Sequence, residues 1–186
     1  MDASTVPELL AAHGYQCRSC RRVPTGKFNT TFVCTVAGPP GTVVLRVAPA
    51  PDAGFLFYED GMMAQEPRLH RLIRERTSLP VPAILAHDTK HAVTNHDYLI
   101  MEYLEGTPLS EMHLPARLRD VAVEQTGRYL RELHDTCIAD QYGYLGEHHC
   151  MEPQPDWTSA FTVMWRGPNS RAADFVNPIR PALLAE

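Results

Sequence analysis

Two apolar runs, over residues 84–88 and 98–104, have the length and composition of β-strands. Before them, residues 16–23 alternate between apolar and polar, residues 29–36 are rich in Thr, Val and Phe, and residues 42–47 are strongly β-branched, which is also typical of strands. Clusters of Gly and Pro separate these runs from one another. Five strands are therefore predicted, over residues 16–23, 29–36, 42–47, 84–88 and 98–104. Short turns connect the first three, which predicts two hairpins and hence antiparallel pairing.

Helical periodicity interrupts and then follows these strand patterns. A short amphipathic helix is predicted over residues 6–13, and a longer one over residues 60–76 lies between the third and fourth strands. Pro67 falls inside the longer helix and should kink or split it. Two further helices are predicted over residues 115–136 and 157–165. The whole pattern predicts an α+β fold.

Composition limits the class of protein. The 186 residues are 44% hydrophobic and 21% charged, so the chain can bury a core and is not a disordered segment. Its formal net charge is −5 with both signs interspersed, which argues against a nucleic-acid partner. No apolar run approaches the roughly 20 residues of a membrane span, and the N-terminus lacks the pattern of a secretory signal. We expect a soluble, cytoplasmic protein with no membrane partner.

The five cysteines lie at positions 17, 20, 34, 137 and 150. Their number is odd and low for a disulfide scaffold, so reduced thiols are expected. Cys17 and Cys20 form a lone CxxC inside a strand pattern, whereas a redox CxxC normally opens a helix. The sequence has no second CxxC to complete a tetrahedral zinc site. These two residues are interpreted as ordinary, partly buried thiols, and no metal-binding residue is predicted.

Four features suggest phosphate and nucleotide chemistry. Gly26 lies in a hairpin loop, where the lack of a Cβ lets backbone N–H groups approach phosphates. Arg46 stands in an apolar strand, where a cation needs an anionic partner, and Glu66 on the next helix could supply it. The strand over 98–104 turns polar at Gly106 and could offer backbone groups to a flat heterocycle. Each feature also has a simpler interpretation: an ordinary hairpin, a strand-edge cation, a solvated helix charge, and a strand entering a turn.

In their order and spacing, these features resemble the small-molecule phosphotransferases of the aminoglycoside phosphotransferase and choline kinase type, which share the protein-kinase-like fold. The resemblance covers about residues 10–165 and rests on seven short motifs together rather than on one specific string. They are the loop Gly26-x-x-Asn29-x-x-Phe32, the strand 43–47, the helix motif from Tyr58-Glu59 to His70, the connector Leu79-Pro80-Val81-Pro82, the strand and turn over 98–106, the helix end Leu130-Arg131-Glu132-Leu133-His134, and the loop Tyr142-Gly143-Tyr144-Leu145-Gly146.

The resemblance implies a nucleotide-binding N-lobe over residues 1–105, the start of a helical C-lobe over 106–166 and an irregular tail over 167–186. In this family the N-lobe binds ATP with Mg²⁺, and the acceptor is a small molecule that carries a hydroxyl or amino group. The loop would cover the phosphates, the third-strand cation would contact the α- and β-phosphates, and backbone groups near Glu102, Tyr103 and Leu104 would contact adenine. Two departures from the family pattern, Phe28 and Pro67, are expected to crowd the phosphates and to displace the ion-pair Glu. The cofactor-binding residues so implied are Gly26, Asn29, Arg46, Glu66, Glu102, Tyr103 and Leu104.

The catalytic loop of the family has the form His-Gly-Asp-x-x-x-x-Asn, and this string does not occur in the 186 residues. The His-Asp pairs that begin at His87, His96 and His134 do not fit it, so no catalytic residue is assigned. Phosphoryl transfer needs that Asp and metal-binding groups, so we expect these residues to be inactive on their own. The alternative is a non-catalytic lobe that binds a nucleotide or a protein, with an exposed apolar face that favours self-association.

Overall fold

The structure is a computed structural model that describes residues 2–24, 28–50, 61–143 and 152–166. These residues form two compact units, a larger one from residues 2–49 and 66–138 and a smaller one from the remainder. The α-helices are α1 (Val6–Ala11), α2 (Met62–Arg76), α3 (Ala116–Thr136) and α4 (Trp157–Arg166). The strands are β1 (Cys17–Val23), β2 (Thr30–Val36), β3 (Thr42–Val47), β4 (Ile84–Asp88) and β5 (Tyr98–Glu102).

The five strands form one antiparallel sheet in the order β1-β2-β3-β5-β4, which confirms the predicted α+β fold. The first three pair in sequence order, as two successive hairpins require. Strand β5 lies between β3 and β4, so β1 and β4 are the edge strands. In this register Arg46 of β3 lies opposite Leu99 of β5.

The main core lies on the face of the sheet against which α1 packs. Alternate residues of β3 point into this core and are fully buried, whereas Arg46 between them points to the opposite face. Removing this apolar surface from water is the main stabilising contribution of the larger unit. The buried cluster consists of Val6, Leu9, Leu10, Phe32, Cys34, Val36, Val43, Leu45, Val47, Tyr98 and Ile100.

Two polar groups buried in the sheet have hydrogen-bond partners. The Tyr98 hydroxyl lies 2.9 Å from Nε2 of His13, just after α1, and burial raises the pKa of Tyr98 to about 12. The Asp88 carboxylate, at the end of β4, accepts three backbone hydrogen bonds of 2.8–3.2 Å. These contacts compensate for the loss of water around each group. The three donors to Asp88 are the N–H groups of Lys90, Ala92 and Val93.

The observed elements begin and end close to the predicted positions. Strand β5 ends at Glu102 rather than at residue 104, because the last residue of β5 that pairs with β3 is Glu102, opposite Val43. Helix α2 runs through Pro67 without being split. A proline removes one backbone N–H and crowds the preceding turn, but side-chain contacts of α2 described below offset this loss.

Helix α3 belongs to the larger unit but none of its residues is buried. Glu132 connects it to the segment after α2, because its carboxylate accepts hydrogen bonds from the N–H and the Oγ of Ser78, both at 2.6 Å. The apolar side chains of α3 that are more than half exposed are Leu118, Val121, Val123 and Leu130.

The smaller unit contains an antiparallel bridge between Tyr142 and Gln154, followed by α4. Asp156 caps α4, since its carboxylate accepts the Ser159 N–H at 2.8 Å. Among the described residues no helix is both long enough and apolar enough to cross a membrane. The domain boundaries predicted at residues 105 and 166 stay predictions, and the predicted tail lies outside the described residues.

Candidate functional site

Arg46 and Glu66 form an ion pair with two hydrogen bonds. Nη1 of Arg46 lies 2.6 Å from Oε2 of Glu66, and Nη2 lies 3.2 Å from Oε1. The alternation of β3 directs Arg46 away from the main core, and α2 brings Glu66 to it. The two side chains are 26% and 22% exposed, so the charges are largely withdrawn from water and stabilise each other. The ion pair expected from the sequence is therefore present.

Arg46 retains hydrogen-bonding capacity for an anion. A guanidinium group has five N–H donors, and Glu66 accepts only two of the hydrogen bonds. The bidentate contact also fixes the plane of the guanidinium, so the remaining donors point in defined directions. Because about a quarter of the Arg46 side chain is exposed, a ligand in solution can reach it. These properties fit a phosphate-bearing ligand.

One face of α2 carries three polar side chains at intervals of four residues: Glu66, His70 and Arg74. Nδ1 of His70 donates to the carbonyl oxygen of Pro82 at 2.8 Å, and Nη1 of Arg74 donates to that of Val81 at 2.7 Å. These bonds attach α2 to the connector before β4 and so position Glu66. The sequence interpretation missed His70 and Arg74 in this role, although their spacing from Glu66 was a usable signal.

The two expected departures from the family pattern have different outcomes. Pro67 does not displace Glu66, which pairs with Arg46, so that expectation was wrong. The physical reason is that contacts on both sides of Pro67 hold the helix and offset its one missing backbone hydrogen bond. Phe28 is an exposed residue shortly before β2, but the loop residues 25–27 that it was expected to crowd lie outside the described residues.

At the end of β5, Glu102 already forms hydrogen bonds with the residues before β4, whereas, among the described residues, the two residues after it do not. The Glu102 N–H donates to the Ala83 carbonyl at 2.9 Å, and the Glu102 carboxylate accepts from the Ala83 N–H at 3.1 Å and from Arg74 at 3.4 Å. Tyr103 and Leu104 are 36% and 45% exposed. Within the described part of the chain their backbone groups have no hydrogen-bond partner. The backbone groups still available at the end of β5 are thus those of Tyr103 and Leu104.

The predicted site residues that the structure describes can be placed by their positions along β3. Val43 pairs with Glu102, so the end of β5 lies three residues, or roughly 10 Å, along β3 from Arg46. At the other end of β3, Val47 pairs with Thr30, which directly follows the half-buried Asn29. Arg46 therefore lies between the end of β5 and the start of β2. Gly26, the remaining predicted site residue, lies outside the described residues.

This architecture defines a class of protein. A five-stranded antiparallel sheet, with a cation on the third strand paired to a Glu on the following helix, is the arrangement of the N-lobe in protein-kinase-like phosphotransferases. The sequence matches the APH model, described as the phosphotransferase enzyme family, over residues 19–173. Since the match covers more than half of the chain, the protein belongs to this phosphotransferase family.

A similar solved structure gives the same fold. It is a thermostable mutant of aminoglycoside phosphotransferase APH(4)-Ia, in a ternary complex with ADP and hygromycin B. The match has a TM-score of 0.58 at 18% sequence identity and covers 92% of this chain. The chain spans about half of that protein, 53% of its length. A search of curated proteins found no significant sequence match.

Proposed function

We propose that these residues bind the nucleotide of an ATP-dependent phosphotransferase that acts on small hydroxyl- or amino-bearing metabolites or antibiotics. The observation that carries the proposal is the bidentate contact between Arg46 and Glu66, on the face of the sheet opposite the main core. A cation held in this way is suited to the α- and β-phosphates of a nucleotide, whose oxygens accept hydrogen bonds from its remaining donors.

The neighbouring groups support an adenine nucleotide in one orientation. Backbone N–H and C=O groups of Tyr103 and Leu104, which are still available at the end of β5, would bind the base. Arg46, farther along β3, would bind the phosphates. Asn29 and the loop containing Gly26 would cover the phosphates from the start of β2. Along β3 the groups proposed for the base come first and Arg46 follows, which is the order of base and phosphates in the nucleotide.

Metal binding is a separate matter. ATP is used with Mg²⁺ in this family, and the ion would neutralise charge on the phosphates when bound. Among the described residues no group of three or more His, Cys, Asp or Glu side chains could hold a metal ion. We therefore assign no metal ligand and no metal-dependent step to these residues.

We further propose that the 186 residues alone bind nucleotide without transferring phosphate. Transfer requires an Asp near the acceptor hydroxyl, and no His-Gly-Asp-x-x-x-x-Asn string is present to supply it. The small-molecule acceptor class is proposed from the family and from the similar structure that contains hygromycin B. Mg-ATP-dependent phosphorylation of an aminoglycoside by the purified chain, abolished in Arg46→Ala, would show this expectation of inactivity to be wrong.

Calorimetric titration with ADP and ATP tests the nucleotide site. Arg46→Ala should weaken binding at least about tenfold, because a charge-assisted hydrogen bond contributes roughly 1.5–3 kcal/mol. Glu66→Gln should weaken it less, since the cation remains but loses its fixed orientation. Arg128→Ala is the matched control, because it removes one cation from the exposed surface of α3 and should change binding less than about twofold.

Two outcomes of the titration would contradict the nucleotide proposal. One is equal affinity in Arg46→Ala and Arg128→Ala, provided that circular dichroism shows both variants to be folded. The other is the absence of binding by the wild-type chain at millimolar nucleotide. The second outcome would favour the alternative, a lobe that binds a protein. For that alternative the exposed apolar residues of α3 are the relevant observation, and sedimentation equilibrium would detect the self-association predicted from sequence.

A further inference from the structure

Two cysteines face each other across adjacent strands of the sheet. Cys20 of β1 is the direct register partner of Cys34 of β2, so both side chains project from the same face. That face carries the main core, in which Cys34 is fully buried and against which Cys20 packs. Both thiols are free in the structure. The sequence interpretation considered only the CxxC spacing of Cys17 and Cys20, and the pair with Cys34 emerges from the strand register.

The backbone hydrogen bonds identify the type of this cross-strand pair. The Val36 N–H donates toward β3, to the Gly41 carbonyl at 2.9 Å, whereas the Ala37 N–H donates toward β1, to the Gln16 carbonyl at 2.9 Å. Since backbone groups alternate in direction along a strand, those of Cys34 point toward β3. Cys20 and Cys34 are therefore a non-hydrogen-bonded pair.

This type of pair has the geometry that a disulfide requires. Residues of a non-hydrogen-bonded antiparallel pair have Cα atoms about 4.5 Å apart, the closer of the two spacings in such sheets. Disulfides join residues whose Cα atoms are roughly 4.4–6.8 Å apart. A bond between Cys20 and Cys34 thus needs side-chain rotation but no change of backbone register.

The two thiols differ in accessibility. Cys20 lies on the edge strand β1 and is partly exposed, with its Sγ 4.0 Å from the Ala3 carbonyl oxygen. Cys34 is enclosed, and burial, with a smaller contribution from neighbouring Cys17 and Cys20, raises its pKa to about 12. Cys20 is consequently the thiol that an oxidant in solution reaches first, and Cys34 is the thiol that reacts second.

We propose that Cys20 and Cys34 form a reversible oxidation site, in which a low-molecular-weight disulfide such as oxidised glutathione converts the two thiols into a cross-strand disulfide. The Cys20 thiolate attacks one sulfur of the oxidant, forming a mixed disulfide and releasing one thiolate. Cys34 then attacks the Cys20 sulfur and releases the second thiolate. The two protein thiols lose two electrons and two protons, and the oxidant becomes two free thiols.

The bond would join the edge strand β1 covalently to β2. It would close a loop of about 15 residues, which constrains the unfolded chain and should raise the midpoint of thermal unfolding by roughly 5–10 °C. This inference does not depend on the proposed nucleotide binding. Its readouts are bond mapping and thermal unfolding, so either proposal can fail without the other.

The test is incubation of the reduced, purified chain with oxidised glutathione, then alkylation, non-reducing digestion and mass spectrometry. We expect a peptide linked through Cys20 and Cys34, which dithiothreitol separates. Cys17→Ser and Cys137→Ser are the matched controls, and both should retain this link. Cys20→Ser changes a partly exposed residue, so it should fold, and it should lose both the link and the rise in unfolding temperature.

Several results would overturn the proposal. They are a Cys17–Cys20 bond as the main product, a glutathione adduct on Cys20 that does not proceed to the linked form, or the recovery of unmodified thiols. An unchanged or lower unfolding temperature of the cross-linked chain would contradict the predicted stabilisation by a disulfide between β1 and β2. The same rise in Cys20→Ser would do so as well.

Discussion

The sheet and helix α3 both belong to the larger unit and both carry regularly spaced apolar residues, but their environments differ. Every second residue of β3 is fully buried, whereas no residue of α3 is. The sheet is held by apolar burial against α1. Helix α3 is connected to the segment after α2 by the polar contact of Glu132 with Ser78. Regular apolar spacing therefore indicates which face of an element is apolar. Only the tertiary packing shows whether that face is buried against another element.

The largest expected effect comes from comparing one leucine of each region. Leu45→Ala, in fully buried β3, should lower the free energy of unfolding by about 2–5 kcal/mol, because it removes buried methyl groups and leaves a cavity. Leu118→Ala, at a residue 54% exposed in α3, should lower it by less than about 1 kcal/mol. Urea unfolding followed by circular dichroism measures both. Equal losses would mean that the face of α3 is covered in solution.

The next largest effect on the free energy of unfolding should come from comparing Asp88, a buried carboxylate of the sheet, with an exposed carboxylate of α3. Burial by itself would raise the pKa of Asp88, but the backbone N–H groups of Lys90, Val93 and Ala92 outweigh it and lower the pKa below its usual 3.8. A lowered folded-state pKa means that this group stabilises the fold above about pH 3.8 and loses that contribution as the pH falls through the folded-state value.

Asp88→Asn should therefore lower the free energy of unfolding by about 1–3 kcal/mol at neutral pH, with a smaller difference from wild type in strong acid. Asp120→Asn, on the exposed surface of α3, is the matched control and should have little effect at either pH. Urea titrations at both pH values provide the comparison. A loss at Asp88 that stays constant with pH would contradict the assigned role of its charge.

The attachment of α3 predicts a local effect rather than a global one. Glu132→Ala removes the acceptor of both Ser78 hydrogen bonds and should lower the free energy of unfolding by no more than about 1 kcal/mol. Backbone amide exchange within α3 should nevertheless become faster, because the helix loses this anchor. Asp120→Ala, on the exposed surface of the same helix, is the control. Unchanged exchange in Glu132→Ala would show that another contact holds α3.

The smallest expected effect concerns two ion pairs on the surface of α3, Glu124–Arg128 at 2.6 Å and Arg131–Asp135 at 2.7 Å. Each pair joins residues four positions apart and should contribute roughly 0.3–0.5 kcal/mol. Glu124→Gln or Asp135→Asn removes the charge at similar helix propensity, so either should lower the melting temperature slightly at low salt, and the effect should disappear at about 1 M salt. A salt-independent loss would indicate a change in helix propensity instead of a lost ion pair.

Local signals were sufficient for much of the fold. Alternation, or a short run of β-branched and apolar residues, marked all five strands, and Gly and Pro marked the turns between the first three. The isolated cation Arg46 and the later Glu66 predicted an ion pair, because a charge in an apolar strand requires a counter-charge. The spacing of His70 and Arg74 from Glu66 indicated that they share one face of α2, but their contacts were not predicted, since each depends on where a carbonyl of the connector lies.

The sequence by itself thus determined the type and order of the elements and the candidate ion pair, because these depend on periodicity and on residue chemistry along the chain. Its motifs, in their order, also resembled the phosphotransferase family to which the chain belongs. Only the tertiary structure decided that β5 lies beside β3, that Cys20 faces Cys34 and that the apolar residues of α3 remain exposed. The reason is that strand register and burial are set by contacts between residues far apart in the chain, and no local pattern specifies those contacts.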